Sequence, residues 1–219
     1  MQMIIVGICG GSGKSTFAER IRDGLSCSCE IMRLDCYYFD QGGKPFEERT
    51  KVNYDSPEIF DFDEMLADIR LLLDGKPVTR KGYNYAEHRR DDSEELMYPP
   101  EVLIIEGIHV FYDDRICDIM NLKLFIKVDS DICLLRRIAR DMNERGRSLE
   151  SISEQYKATV KPMREKYIDK YIDKADVVVM RGGMNEQALK TTISYLKSCV
   201  KEQRSAESEK NESDGNDSE

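Results

Sequence analysis

The chain has 219 residues, 34% of them charged and 40% hydrophobic, and a formal net charge of −9. That length buries a sizeable core in one domain without disulfide or metal staples, and the acidic balance argues against nucleic acid, whose backbone calls for a basic face. Seven scattered cysteines without a CxxC pair, and only two histidines, His88 and His109, offer no zinc-ligand spacing, and reduced thiols point to a cytosolic location.

The first predicted element is a strand in "MIIVGI", too short to span a membrane and without the basic flank of a signal peptide. It runs into "GICGGSGKSTFAER", a glycine turn with a helix starting near Gly13, which is the setting of a phosphate loop. Gly10, Gly11 and Gly13 let the backbone around Ser12 turn its N–H groups inward, and the helix N-terminus adds roughly half a positive charge toward an anion. Lys14 suits the β- and γ-phosphates of a nucleotide, and the Ser15 hydroxyl, with Thr16 beside it, suits Mg²⁺. The usual spacing G-x-x-x-x-G-K-[ST] asks for glycine at position 8, where the chain has Ile8. The bland alternative is a plain glycine-rich turn.

A strand over "EIMRLD" ends at Asp35, and "VNYDSPEIFDFDEML" places Asp55 on a loop, either to accept from vicinal hydroxyls or to start the turn at Ser56-Pro57. Asp61 with Glu64 opens a helix through Leu73, with Gly75 as its left-handed stop. From about 76 to 100 the pattern leaves the sheet, and the alternation of Tyr83 and Tyr85 reads as a hairpin. With His88 these rings could stack on and bond a planar base, or simply line an exposed hairpin. "VLIIEGI" is a strand carrying Glu106, and "LKLFIKVD" follows. Acids at the carboxyl ends of parallel strands stand where such sheets bind ligands, to hold a metal or accept a proton, though either alone could be a cap.

Asp131 is the expected cap of a helix through Arg140, and five arginines fall within twelve residues: Arg136, Arg137, Arg140, Arg145 and Arg147. Guanidinium forks match phosphate oxygens, so the segment at about 136–160 reads as an arginine lid with Gly146 as hinge. The alternative is a solvated face paired with Asp141 and Glu144. Ser151 with Glu154 suggests another helix start, "ADVVVM" is the last strand, and the last helix is predicted at about Asn185 to Val200. Residues 201–219 hold three basic and seven acidic side chains and read as a disordered acidic tail. The strands are apolar without alternation, so they belong to a parallel α/β sheet covered on both faces.

Together these motifs resemble the uridine kinase (uridine-cytidine kinase) family of phosphate-loop kinases. The likeness rests on "GGSGKSTFA", "LDCYYFD", "VNYDSPEIFDFD", "GKPVTRKGYNYAEHRR", "VLIIEGI", "DSDICLLRRIARDMNERGRSLESISEQY", "VKPMREKYI" and "ADVVVMRGGMNEQAL" in that order. It implies a P-loop kinase fold over residues 1–200, with ATP or GTP as phosphoryl donor, Mg²⁺ as cofactor, uridine or cytidine as acceptor, and a homo-oligomer, often a tetramer. It implies Asp35 as catalytic base near Tyr38, and Asp55, Arg147 and Gln155 on the ribose. It further implies Tyr83 and His88 on the pyrimidine edge, with Tyr54 and Tyr85 shaping the pocket. Arg137 would lie near the transferring phosphate, Ser15 and Glu106 would hold Mg²⁺, and Arg140 and Arg145 would clamp the triphosphate.

Two departures stand out. The family's loop commonly has two more residues, of the type G-G-S-x-S-G-K, and its P-x-Y-D-F has Lys81 and Asn84 here in place of proline and aspartate. They bear on nucleobase preference and turnover more than on fold. The competing readings are a kinase for another small alcohol, such as ribulose 5-phosphate or pantothenate, served by Arg80, Lys81, Arg89 and Arg90, and a non-catalytic nucleotide-binding protein.

Overall fold

The computed structural model describes residues 3–216, with side chains to Ser208. In chain order β1 (Ile4–Gly10) leads to α1 (Lys14–Gly24), β2 (Cys29–Arg33), α2 (Phe46–Arg49), α3 (Phe62–Leu73), β3 (Val78–Asn84) and β4 (Arg89–Met97). Then come β5 (Val102–Glu106), α4 (Asp114–Cys117), β6 (Leu122–Lys127), α5 (Ser130–Asn143), α6 (Leu149–Gln155), α7 (Lys161–Lys166), β7 (Val177–Met180) and α8 (Glu186–Asn216).

Five of these strands make one parallel sheet, in the order β2-β5-β1-β6-β7. Their unbroken apolar runs divide between two cores. Ile5 and Cys9, Leu103 and Ile105, and Phe125 face α3 and Tyr171, whereas Ile4, Val6 and Ile8, Val102 and Ile104, and Leu124 and Ile126 face α1 and α8. Each face excludes water, which is why alternation is missing from the sequence. The strand order puts the β1 and β5 carboxyl ends side by side at the centre, where a topological switch leaves a crevice.

β3 and β4 pair only with each other, antiparallel from Val78↔Met97 to Asn84↔Arg89, as the predicted hairpin. α3 is capped as expected: Asp61 Oδ1 accepts from the Glu64 N–H at 2.8 Å, and Gly75 has φ 77°. Two other caps move. α5 starts after Asp129 rather than Asp131, and α6 after Ser148, whose hydroxyl accepts from the Ser151 N–H at 3.2 Å. At Ser148 an earlier side chain on extended backbone takes the cap position, whereas Asp129 stands at the N-cap of α5 without a side-chain cap bond.

α8 continues through Lys201 to Asn216, over most of the segment expected to be a disordered tail, and residues 217–219 lie outside the described part. Val200 is its last core contact, and Arg204 then reaches Glu101 at 2.6 Å. Beyond it the Glu, Lys, Gln and Ala are good helix formers that need only propagate a helix already nucleated. No helix among the described residues is long and apolar enough to cross a membrane.

Candidate active site

The shortened phosphate loop begins only after Ile8. Ile8 sits inside β1, fully buried, in register with Glu106 and Leu124, so its side chain belongs to the core and not to the loop. The loop proper is Gly11–Ser12–Gly13 between β1 and α1. Gly10 and Gly13 hold φ near 105° and 102°, and a Cβ on Gly10 would sit 2.5 Å from the Ile126 carbonyl oxygen. No side chain caps α1, which leaves its N-terminal amides for an anion. Lys14 Nζ folds back to the Gly10 and Gly11 carbonyls, at 3.3 Å each.

The loop also leans on the connection between β7 and α8. A Cβ on Gly13 would lie 2.7 Å from the Gly183 nitrogen, and one on Gly183 would lie 2.2 Å from the Gly13 oxygen. Only glycine fits on either side of that contact.

Ser15, second residue of α1, donates its hydroxyl to Glu106 Oε1 at 2.8 Å across the crevice. Glu106 is 6% exposed, and burial pushes its carboxyl above the ordinary range, offset in part by Lys14. A hydroxyl and one carboxylate, hard oxygen donors next to a phosphate cradle, fit Mg²⁺, which takes few protein ligands and completes its shell with water and phosphate. The described residues contain no cluster of three His, Cys, Asp or Glu for a metal.

Two cavities meet here. The first, about 250 Å³, is lined by Gly10 through Ser15 together with Arg136, Arg137, Arg140 and Arg164. The second, about 170 Å³, gathers Asp35, Tyr38, Tyr54, Asp55, Tyr83, Tyr85, His88, Arg145, Arg147 and Gln155. Asp55, Ile108, Arg137 and Arg140 line both. Thr16 is exposed and lines neither, and Arg145 stands in the second cavity rather than against the phosphate loop, its guanidinium 4.7 Å over the Tyr85 ring.

Asp35 lies on a 3₁₀ turn (Leu34–Tyr37) directly after β2, and the Tyr85 hydroxyl donates to its Oδ2 at 2.6 Å. Tyr38 packs against Tyr54, Phe60 and Tyr83, with centroids 4.4 to 5.4 Å apart. The Tyr83 hydroxyl is buried among them without a well-formed hydrogen bond. His88, at φ 51° in the hairpin turn, stacks on Tyr54 at 5.2 Å. Burial, aided by Arg147 and Arg145, lowers its pKa, so the ring is neutral at pH 7 and can both donate and accept.

Asp55 is the other acid of this cavity. Thr159 donates to its Oδ2 at 3.1 Å, Arg137 stands 3.8 Å from its Oδ1, and burial holds its carboxyl above the usual range. Its carbonyl oxygen accepts from His109 Nε2 at 2.8 Å, while Tyr171 donates to His109 Nδ1 at 2.9 Å, which fixes the tautomer. Gln155 Oε1 accepts from Arg137 at 3.0 Å and Arg147 at 2.5 Å. Arg137, Arg140, Arg145 and Arg147 converge on Asp141, which is the pairing partner named by the solvated-face alternative but is fully buried.

Several site residues escape sequence reasoning. Arg164 enters the phosphate-side cavity from α7, held by Asp169 at 3.0 Å and by the Val128 carbonyl, and "VKPMREKYI" was the only signal for it. Thr159 lies on a π-helical turn (Tyr156–Val160), a register no periodicity announces.

Comparison with known proteins follows the same lines. The family model described as "Phosphoribulokinase / Uridine kinase family" matches residues 4–188. The chain belongs to that family. A protein named uridine kinase from Ligilactobacillus salivarius is 41% identical over 201 residues, 90% of this chain and 94% of that one. Another of that name, from Streptococcus pyogenes (strain Manfredo), is 42% identical over 202 residues, 91% and 97% respectively. Among solved structures, phosphoribulokinase from Rhodobacter spheroides superposes with a TM-score of 0.62 at 15% identity, over 82% of this chain and 70% of that one. At that identity the likeness concerns the fold. It is the phosphate-loop kinase arrangement of a parallel sheet between helices.

Proposed function

We propose that this member of the phosphoribulokinase/uridine kinase family transfers the γ-phosphoryl group of ATP or GTP to the 5′-hydroxyl of uridine or cytidine. The observation that carries the reading is the junction of the two cavities. A glycine cradle with Lys14 opens through Arg137 and Arg140 onto a smaller, aromatic chamber that holds a half-buried base candidate, Asp35. A donor and a flat, hydroxyl-bearing acceptor would meet there in line, so catalysis reduces to positioning and charge neutralisation. The relatives named uridine kinase support the choice of acceptor.

In this reading Asp35 accepts the proton of the 5′-hydroxyl, Asp55 and Gln155 take the ribose hydroxyls, and His88 and Tyr83 read the pyrimidine edge. Ser15 and Glu106 would hold Mg²⁺, which when bound offsets charge on the donor phosphates. A phosphorylated acceptor is less well served, because the hairpin's own cations turn elsewhere. Arg80 binds Glu95 and the Ile31 carbonyl, while Lys81, Arg89 and Arg90 line a separate cavity.

The test is incubation with Mg-ATP and uridine, cytidine, adenosine, ribulose 5-phosphate or pantothenate, read by product mass. Uridine or cytidine monophosphate is expected. Product from a different acceptor alone would overturn the choice of substrate, and no product from any would overturn the kinase reading.

A further inference from the structure

Asp141 lies in the last turn of α5 with no exposed surface, yet four guanidinium groups surround its carboxylate. Arg140 is 2.9 Å from Oδ1 and Arg145 3.4 Å, while Arg137 is 3.6 Å and Arg147 3.7 Å from Oδ2. The local sequence produces this. Positions 137 and 145 are one turn before and after 141, and Gly146 at φ 61° reverses the chain so that the Arg147 amide donates to the Asp141 carbonyl at 3.1 Å. All four arginines line the acceptor cavity, and two of them line the phosphate cavity too.

The satisfaction of this hub is uneven. Oδ1 accepts from Arg140 Nε at 2.9 Å, but Oδ2 is buried without a hydrogen bond, and so is the Arg137 Nε that faces it. One carboxylate therefore gathers four positive charges that would otherwise repel one another, and it does so largely by field rather than by locked forks. A buried carboxylate needs its cations, and four cations this close need an anion. Phosphate oxygens at the cavity junction would be a second anion of better geometry, able to draw guanidinium groups off Oδ2 without leaving Asp141 unpaired.

We propose that Asp141 is a positioning residue for phosphoryl transfer, a buried stand-in anion that assembles the four lid arginines at the cavity junction and releases part of them to the transferring phosphoryl group. This rests on the kinase reading above. Arginines that lose the hub still attract phosphate, since the local charge becomes more positive, but they no longer point at the position the phosphoryl group occupies in transit. Binding and turnover should then separate.

The experiment compares the parent with Asp141→Asn, using calorimetric titration with inorganic tripolyphosphate and steady-state rates on Mg-ATP and uridine. Expected is a fall in kcat of about 100-fold, the cost of misplaced groups, with tripolyphosphate affinity kept or tightened. A kcat within about threefold of the parent, or affinity weakened by the same factor as kcat, overturns the proposal. Should Asp141→Asn not fold, the parent suffices. The Arg140 Nε–H proton should exchange slowly in the free protein, and the guanidinium Nε signals of the hub should shift on saturation with tripolyphosphate. Unchanged signals at saturation overturn the proposal. This titration needs no acceptor, so a parent inactive on every alcohol would count against the kinase reading while the hub is still read directly.

Discussion

The Tyr85 hydroxyl, carried by the hairpin, donates a 2.6 Å hydrogen bond to Oδ2 of Asp35 at the end of β2. The acid best placed to receive an acceptor's proton is thus already engaged, and an incoming hydroxyl has to compete with the tyrosine. Tyr85→Phe keeps the ring and its contact with Arg145 but removes the competitor. We expect kcat/KM for the nucleoside to rise by roughly two- to tenfold, the net worth of one hydrogen bond. Asp35→Asn should instead cost about 10² to 10⁴ in kcat with nucleotide affinity unchanged. Initial rates over a range of acceptor concentrations, beside nucleotide titration, check both.

Glu106 sets function against stability. Burial raises its carboxyl, so the folded state holds a proton more tightly than the unfolded chain does, and the ionised form at neutral pH is a net cost to folding. Glu106→Gln removes that cost. The melting temperature of the nucleotide-free protein should rise, by about 2–4 °C for each kcal/mol recovered, while Mg²⁺-dependent turnover collapses. A thermal melt and a Mg²⁺ titration of the rate decide it.

His109 gives the fold an acid limit. Buried between Tyr171 and the Asp55 carbonyl, its pKa falls from 6.5 to about 4. The neutral ring therefore contributes stability that is complete above pH 6.5 and lost as pH falls toward 4, because the unfolded chain takes up a proton that the folded one refuses. The span amounts to roughly 3 kcal/mol. Denaturant unfolding at pH 7, 5.5 and 4.5 should show the loss, and His109→Gln should flatten it.

Arg137 and then Thr159 hold the Asp55 carboxyl down against its burial. The Thr159 hydroxyl bond opposes the burial that raises the Asp55 carboxyl, so Thr159→Val raises it further. If Asp55 accepts the ribose hydroxyls, KM for the nucleoside should climb on acidification at a higher pH in the variant than in the parent, with kcat at saturation little changed. A pH series of KM measures this.

Gly183→Ala places a methyl 2.2 Å from the Gly13 carbonyl oxygen, and both are backbone, so the phosphate loop must shift. Nucleotide affinity should fall by about 10- to 100-fold, with a stability loss of about 1–3 kcal/mol. Calorimetric titration of ATP separates this from a general loss of fold.

What the sequence disclosed depended on how local the determining physics was. β1 and β5 were legible because both faces of each are buried, β7 because its run of valines is a β-former even at the exposed sheet edge, and Lys14 and Ser15 because their setting is one strand, one turn and one helix. Asp35, Tyr83, His88 and Gln155 could be brought together only through the family likeness, since nothing within 30 residues of any of them says which loop it will face. Ile8 breaks the usual spacing because it still belongs to β1, and only three residues separate that strand from α1. Asp141 looked like an ordinary surface partner, and its burial follows from the reversal at Gly146, a tertiary event. The α8 extension was missed because composition reports what a segment cannot bury, not what a preceding helix can carry forward.

The hairpin shares no hydrogen-bonded strand with the main sheet. It nevertheless supplies Tyr83, Tyr85 and His88, while the sheet supplies Glu106 and the helix that follows β1 supplies Lys14 and Ser15. The choice of alcohol and the chemistry performed on it are therefore written on separate pieces of backbone. Rebuilding residues 78–97, where Lys81 and Asn84 lie, is expected to redirect the enzyme to a new acceptor while the phosphate loop stays as it is.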